Sequence, residues 1–328
     1  MVRNHSQDMY TSNDDLYRNI KTTMKNSLYL LFFLLLGTMA QAQQDPLFTQ
    51  YMFNTLSINP AYAGSANMLT ATAIYRKQWV SFEGAPTTQT VTVHAPLRNE
   101  SISVGGSIVN DSHGPVRQTG LYADISYRLF LGKSKLAFGL KGGLNLFQAN
   151  LVDLNPLEAD DPAFAANISN KPLPNFGFGI LWYSERHILG ISAPKLLTNK
   201  LLDGDLPDFN NNKEKQHFFF IAGYVWDINP YLKFKPTIMV KGVDGAPPGM
   251  DVTANFLLYD KFWIGGMYRW EDAVGALLQY EINNKFRIGY SYDYTLSDIQ
   301  SYSSGSHEIM LGFDLYKPIA GDKSPRYF

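Results

Sequence analysis

"KFRIGYSYDYTL", residues 285–296, puts Phe286, Ile288, Tyr290, Tyr292 and Tyr294 on one parity and Arg287, Gly289, Ser291 and Asp293 on the other. A period of two belongs to a strand, whose successive side chains point to opposite faces of a sheet. The same alternation sets Leu121, Ala123, Ile125, Tyr127 and Leu129 against Tyr122, Asp124, Ser126 and Arg128. Near the C-terminus, Ile309, Leu311, Phe313 and Leu315 oppose Glu308, Gly312, Asp314 and Tyr316. A soluble β-sandwich alternates too, but its strands average about five or six residues and its outer face carries many Lys and Glu. These runs are near ten residues long, the length at which a tilted strand crosses a bilayer.

Working outward, about fourteen such runs follow one another from Leu69 to residue 317. Every second connection is a tight polar turn: "PLRNE", "GKS", "SER", "DINP", "YDK", "INNK". The others are mostly long, above all 148–173 and 194–214, with "ED" at 271–272 as a short exception. Short turns at one end and long loops at the other are the habit of outer-membrane barrels, whose short turns are periplasmic. Closure also meets the demand of lipid, where each unpaired backbone N–H or C=O costs several kcal/mol. Charges within the runs (Lys141, Lys233, Lys235, Lys241, Asp251, Arg269, Arg287, Asp293) fall largely on the parity away from lipid, in both signs. That placement suits a wet or salt-bridged lumen. Trp79, Trp182, Trp226, Trp263 and Trp270 lie towards run ends, where an interfacial aromatic girdle is expected. The fold expected is all-β: a transmembrane antiparallel β-barrel of about fourteen strands over 67–317, followed by a periplasmic tail, 318–328. A secreted sandwich or propeller is the alternative, although no blade-like repeat is visible.

Composition narrows the function classes. With 17% charged residues, 14% aromatics and a net charge of −1, the chain reads neither as disordered nor as a nucleic-acid binder. It has no cysteine, so disulfides and thiolate metal sites are excluded. The six histidines show no metal-ligand spacing, and neither a metal nor a cofactor is expected. "GKS" at 132–134 lacks the glycine of a phosphate loop five positions earlier, where Tyr127 stands. In "MKNSLYLLFFLLLGTMAQAQQ", residues 24–44, Lys25 precedes an apolar run from Leu28 to Leu36 that closes on Ala40-Gln41-Ala42. This is a secretory signal peptide, 1–42, cleaved after Ala42; the apolar run is too short to span a bilayer. Residues 1–23 read as an over-extended translation start.

The segment 43–66 precedes the barrel and contains "DPLFTQYMFNTLSINPAYAGS" at 45–65. Asp45 suits an N-cap and Pro46 the first helical position; Phe48, Tyr51, Met52 and Leu56 then share one face until Asn59-Pro60 stops the helix. Such a short helix plugs the lumen, lies under the barrel, or holds a periplasmic partner. Asp45, Pro46, Phe48, Gln50, Tyr51, Asn54 and the run Asn59-Pro60-Ala61-Tyr62-Ala63-Gly64 resemble the PorP/SprF family of type IX secretion system outer-membrane proteins. The resemblance continues through Arg76, Gln78, Trp79, Gly84 and Pro86, "NDSHGP" at 110–115, "SYDYTLS" at 291–297, "GSHEIML" at 305–311 and the tail "SPRYF". It implies a non-enzymatic integral protein of the outer membrane of Bacteroidetes-type bacteria. Its implied partners are type IX machinery components and a secreted cargo protein with a C-terminal sorting domain, of the gliding-adhesin kind. An outer-membrane porin for small solutes is the alternative.

One polar group stands apart. If the last strand closes on the first, Arg76, Asp293, His307 and Glu308 become neighbours at the extracellular rim of the seam. They form either a charged clasp that fixes the closing register or, with a histidine beside two carboxylates, an acid/base site.

Overall fold

The computed structural model describes residues 47–152, 167–201, 213–244, 246–315 and Tyr327. The signal segment, Asp45 and Pro46 lie outside these residues. The first strands are β1 (Leu69–Lys77), β2 (Thr87–Pro96), β3 (Ile102–His113), β4 (Val116–Leu131) and β5 (Ser134–Ala149). Then come β6 (Ile168–Tyr183), β7 (His187–Ala193), β8 (His217–Tyr224), β9 (Trp226–Asn229) and β10 (Leu232–Val243). The last are β11 (Ala246–Leu258), β12 (Phe262–Arg269), β13 (Ala273–Glu281), β14 (Phe286–Thr295) and β15 (Ser306–Leu315).

Each strand pairs antiparallel with its neighbours, and β8 and β9 are two parts of one stave that both pair with β10, interrupted at Val225. The result is a closed barrel of fourteen staves. Its seam runs from Leu69↔Leu315 to Lys77↔His307 without a register shift. Both β1 and β15 therefore meet the turn end of the barrel, the end that carries the tight turns.

The opening stretch falls on β14, with Phe286, Ile288, Tyr290 and Tyr294 exposed and Gly289, Ser291 and Asp293 buried. An even alternation of this kind continues around the wall, leaving Leu121, Ile125, Leu140, Ile191, Leu278 and Leu311 on the outside. Polar and small side chains fill the inside. The barrel wall thus inverts a soluble core, as a hydrocarbon solvent requires. Among the described residues no helix is long and apolar enough to cross a membrane.

The staves are uneven. β4, β5 and β6 each have 16 residues, whereas β7 has 7. The expected loop at 148–173 is accordingly shorter, because β5 runs to Ala149 and β6 starts at Ile168; residues 153–166 lie outside the described set. The outer face of this stretch carries Asn170, Pro172 and Pro174, so parity gives no signal there and "ISNKPLPN" reads as a loop.

Two tryptophans also differ from the girdle expected of them. Trp182, Trp226 and Trp270 are exposed, but Trp263 is only 1% exposed and faces the lumen, and Trp79 sits in the loop after β1 with φ +47°. A strand end is a necessary condition for a girdle; the parity of position 263 is the luminal one.

Candidate functional site

The segment between the signal and β1 is inside the barrel. Residues 47–67 cross the lumen from Thr49, beside Asp293 and Glu308 at the loop end, to Asn67, which precedes β1 at the turn end. Three 3-10 turns, Tyr51–Phe53, Thr55–Ser57 and Pro60–Tyr62, replace the single amphipathic helix expected. The reason is that the segment has no solvent face: Gln50, Phe53, Asn54 and Thr55 are as buried as Phe48, Tyr51, Met52 and Leu56. A stripe on one side of a helix is useful only when the other side meets water. Among the three placements open from sequence, the lumen is the one observed.

The first half of this plug is held by charge and by apolar packing. Arg76 projects from β1 between Asp293 of β14 and Glu308 of β15, at 2.9 Å and 3.3 Å. Thr49 joins the group: its hydroxyl donates to Asp293 at 2.5 Å and accepts from Arg76 at 2.7 Å. Both oxygens of Glu308 accept main-chain amides, those of Thr49 and Gln50, each at 2.9 Å. Three neighbouring staves therefore converge on one turn of the plug. Below it Phe48, Tyr51, Met52 and Phe53 pack with Ile74, Met239, Leu277 and Met310. Such large side chains contribute about 1.5–3 kcal/mol each when withdrawn from water.

Within the sequence-predicted cluster, Arg76, Asp293 and Glu308 come together and His307 does not. Glu308 pairs across the seam with Arg76, while His307 pairs with Lys77 and so occupies the opposite face. Its ring meets the Tyr290 hydroxyl at 2.7 Å on the outside of the wall. Successive residues of a strand point to opposite faces, and the acid/base reading loses its imidazole. The remaining three are buried to 2%, 1% and 0% exposure, so they belong to the lumen and not to an open rim.

The second half is held by close approach. A Cβ added at Gly139 would strike the backbone of Pro60 and Ala61, and one at Gly179 would strike the side chain of Asn59. These bare positions on β5 and β6 let the Asn59-Pro60-Ala61 turn lie against the wall. Asn59 then donates to the carbonyls of Ile180 and Ile191 at 3.2 Å and 3.3 Å and caps its own turn by accepting from Ala61 at 2.9 Å. Ser192 and Ser126 donate to the carbonyls of Ile58 and Ala61. Gly64 ends the run at φ +72°, a left-handed backbone that favours glycine. Its N–H reaches His94 at 3.0 Å, its carbonyl accepts from Arg128 at 2.9 Å, and Tyr62 stacks edgewise on His94.

Several contributors are not legible in the sequence. Thr49 carries no signal at all. Arg128, Lys141, Lys235 and Arg287 are on the luminal parity, but their partners are not deducible: Gly64 for Arg128, Asp124 for Lys141 at 3.3 Å and Asp314 for Arg287 at 3.3 Å. Lys235 meets the rings of Phe53 and Trp263. Among the described residues there is no cluster of His, Asp and Glu arranged to hold a metal. Beside the plug, a recess of about 80 Å³ lies against the loop-end parts of β3 to β5, bounded by Ser57, Ile58, Asp111, Gln118, Lys141 and Asn145.

A family model described as "Type IX secretion system membrane protein PorP/SprF" matches residues 40–313. The chain belongs to the PorP/SprF family. The plug motif, the seam cluster and nearly the whole barrel of this PorP/SprF protein lie within the matched span. No curated protein matches it significantly. Among solved structures, Acinetobacter baumannii Omp33 is similar at 8% identity and TM-score 0.43, over 75% of this chain and 96% of that one. The CymD monoaromatic hydrocarbon channel is similar at 11% identity and TM-score 0.46, over 83% and 94%. Likenesses of this degree have no bearing on what a PorP/SprF barrel does. Family and fold together make the protein an outer-membrane barrel of the type IX secretion system.

Proposed function

We propose that this barrel is a non-enzymatic accessory of type IX secretion that assists export or surface attachment of a cargo protein with a C-terminal sorting domain. The observation that carries the reading is the plug. Residues 47–67 pack the lumen as a core is packed, so the protein works through its two ends and not as a passage for solutes. The signal peptide, cleaved after Ala42, delivers the chain across the inner membrane, and the barrel then inserts with its tight turns in the periplasm. Machinery components meet the turn end. The cargo, of the gliding-adhesin type in Bacteroidetes-type bacteria, meets the loop end, where the recess beside Ser57 and Ile58 offers polar groups of both signs.

Purification from the native host in mild detergent, through a tag placed in the loop between β14 and β15, tests this. Co-purified type IX components and a sorting-domain protein are the expected result, with little steady conductance in planar bilayers. Recovery of neither partner, together with stable single-channel currents, would instead make the protein a small-solute channel.

A further inference from the structure

Two lysines stand on the luminal parity of β10 just after the Pro230-Tyr231 turn. Lys235 is 0% exposed, with its ammonium 4.2 Å from the centre of the Phe53 ring and 4.8 Å from that of Trp263. An ammonium so far from water needs oxygen partners, and one of them is the main-chain carbonyl of Tyr327, 2.5 Å away. Tyr327 is itself 9% exposed and lies in the same apolar cluster as Phe53, Val225, Leu257 and Trp263. Above its ring, 5.6 Å from the centre, stands Lys233, whose ammonium also pairs with Asp260. The tail expected to hang in the periplasm therefore has one residue fastened inside the turn end of the lumen.

We propose that this turn-end pocket is a peptide-binding site whose ligand is the chain's own C-terminal end, making Tyr327 a second, detachable plug. The recognition has three parts, each with a separate chemical basis. The apolar wall takes an aromatic ring, the Lys233 cation faces that ring, and Lys235 reads the main-chain carbonyl of the same residue. A cation over an aromatic face in a desolvated site is favourable. A main-chain carbonyl is offered by any peptide, so the ring supplies selectivity and the lysines supply grip. While the site is filled, the C-terminal end is withheld from anything at the turn end. This inference does not depend on the secretion reading.

The test uses the full-length barrel in detergent and a fluorescein-labelled peptide with the sequence of residues 321–328, GDKSPRYF. A tethered ligand competes at an effective concentration in about the millimolar range, so wild type is expected to bind the peptide poorly. Tyr327→Ala empties the site and should bind it at least about tenfold more tightly than wild type. The same peptide with its tyrosine replaced by alanine should show no binding to that variant, and Tyr327→Ala combined with Lys235→Met should lose the gain. Equal binding by wild type and Tyr327→Ala, no binding by either, or indifference to the peptide's tyrosine would each overturn the proposal. The peptide arm needs no lysine variant, so it remains decisive even where Lys235→Met fails to fold.

Discussion

The two halves of the plug are held by different physics. From Phe48 to Ile58 the segment is gripped by side chains: the carboxylates of Asp293 and Glu308, the guanidinium of Arg76 between them, and an apolar cluster beneath. From Asn59 to Gly64 it is gripped by shape, with its backbone laid against glycines and its carbonyls taken by Ser126 and Arg128. The contrast shows how one lumen serves two needs. The charged half ties the plug to β14, β15 and β1, and so to the seam that closes the barrel. The close-packed half is fastened to β4, β5, β6 and β7, the opposite wall. A plug so placed acts as a strut across the barrel as well as a stopper.

Removing the charge from the first half should have the largest effect. Arg76→Ala leaves two buried carboxylates without their cation, and breaking a buried pair in this way costs about 3–5 kcal/mol. The temperature at which the detergent-solubilised barrel loses its heat-modifiable mobility on gels should fall sharply, with Arg76→Lys intermediate. An unchanged temperature would mean the two halves do not divide the work as described.

Filling the socket of the second half comes next. Gly179→Val places methyl groups where the Asn59 side chain lies, and overpacking of this kind costs about 1–3 kcal/mol. Bilayer recordings should then show conductance that wild type lacks, because the turn is pushed off the wall while the clasp still holds the other end. Silent bilayers with an unaltered unfolding temperature would place the grip elsewhere.

The smallest effect is expected at His307. His307→Ala removes a bond to Tyr290 on the outside of the wall and touches neither half, so stability should change by no more than about 0.5 kcal/mol. A large loss in the same gel assay would return His307 to the luminal group.

Much of the barrel is legible in the sequence, because a strand between lipid and lumen writes its two solvents into alternate residues. Phe286 to Tyr294 show this in one line. Legibility ends where one of those solvents is absent. Residues 168–175 carry Asn170, Pro172 and Pro174 on the outer face and lack the apolar stripe, and the plug meets wall on all sides and loses the polar one. The place of Trp263 along its strand suggests the interface, although its parity points inward. In the candidate site, Arg76, Glu308 and Asp293 are deducible as neighbours because closure fixes the register. Thr49 is not, since nothing local tells a threonine which carboxylate it will meet across more than two hundred residues.

The sequence by itself determined the period of two, the sign of each face and the alternation of short turns with long loops, since these depend only on neighbours along the chain and on the solvent each face meets. Only the tertiary structure decided that the segment before β1 threads the lumen, that Arg76 serves the plug as much as the seam, and that Tyr327 returns to the turn end. Those outcomes depend on which groups closure brings opposite one another inside a cylinder, and a one-dimensional pattern carries no record of distances across its interior.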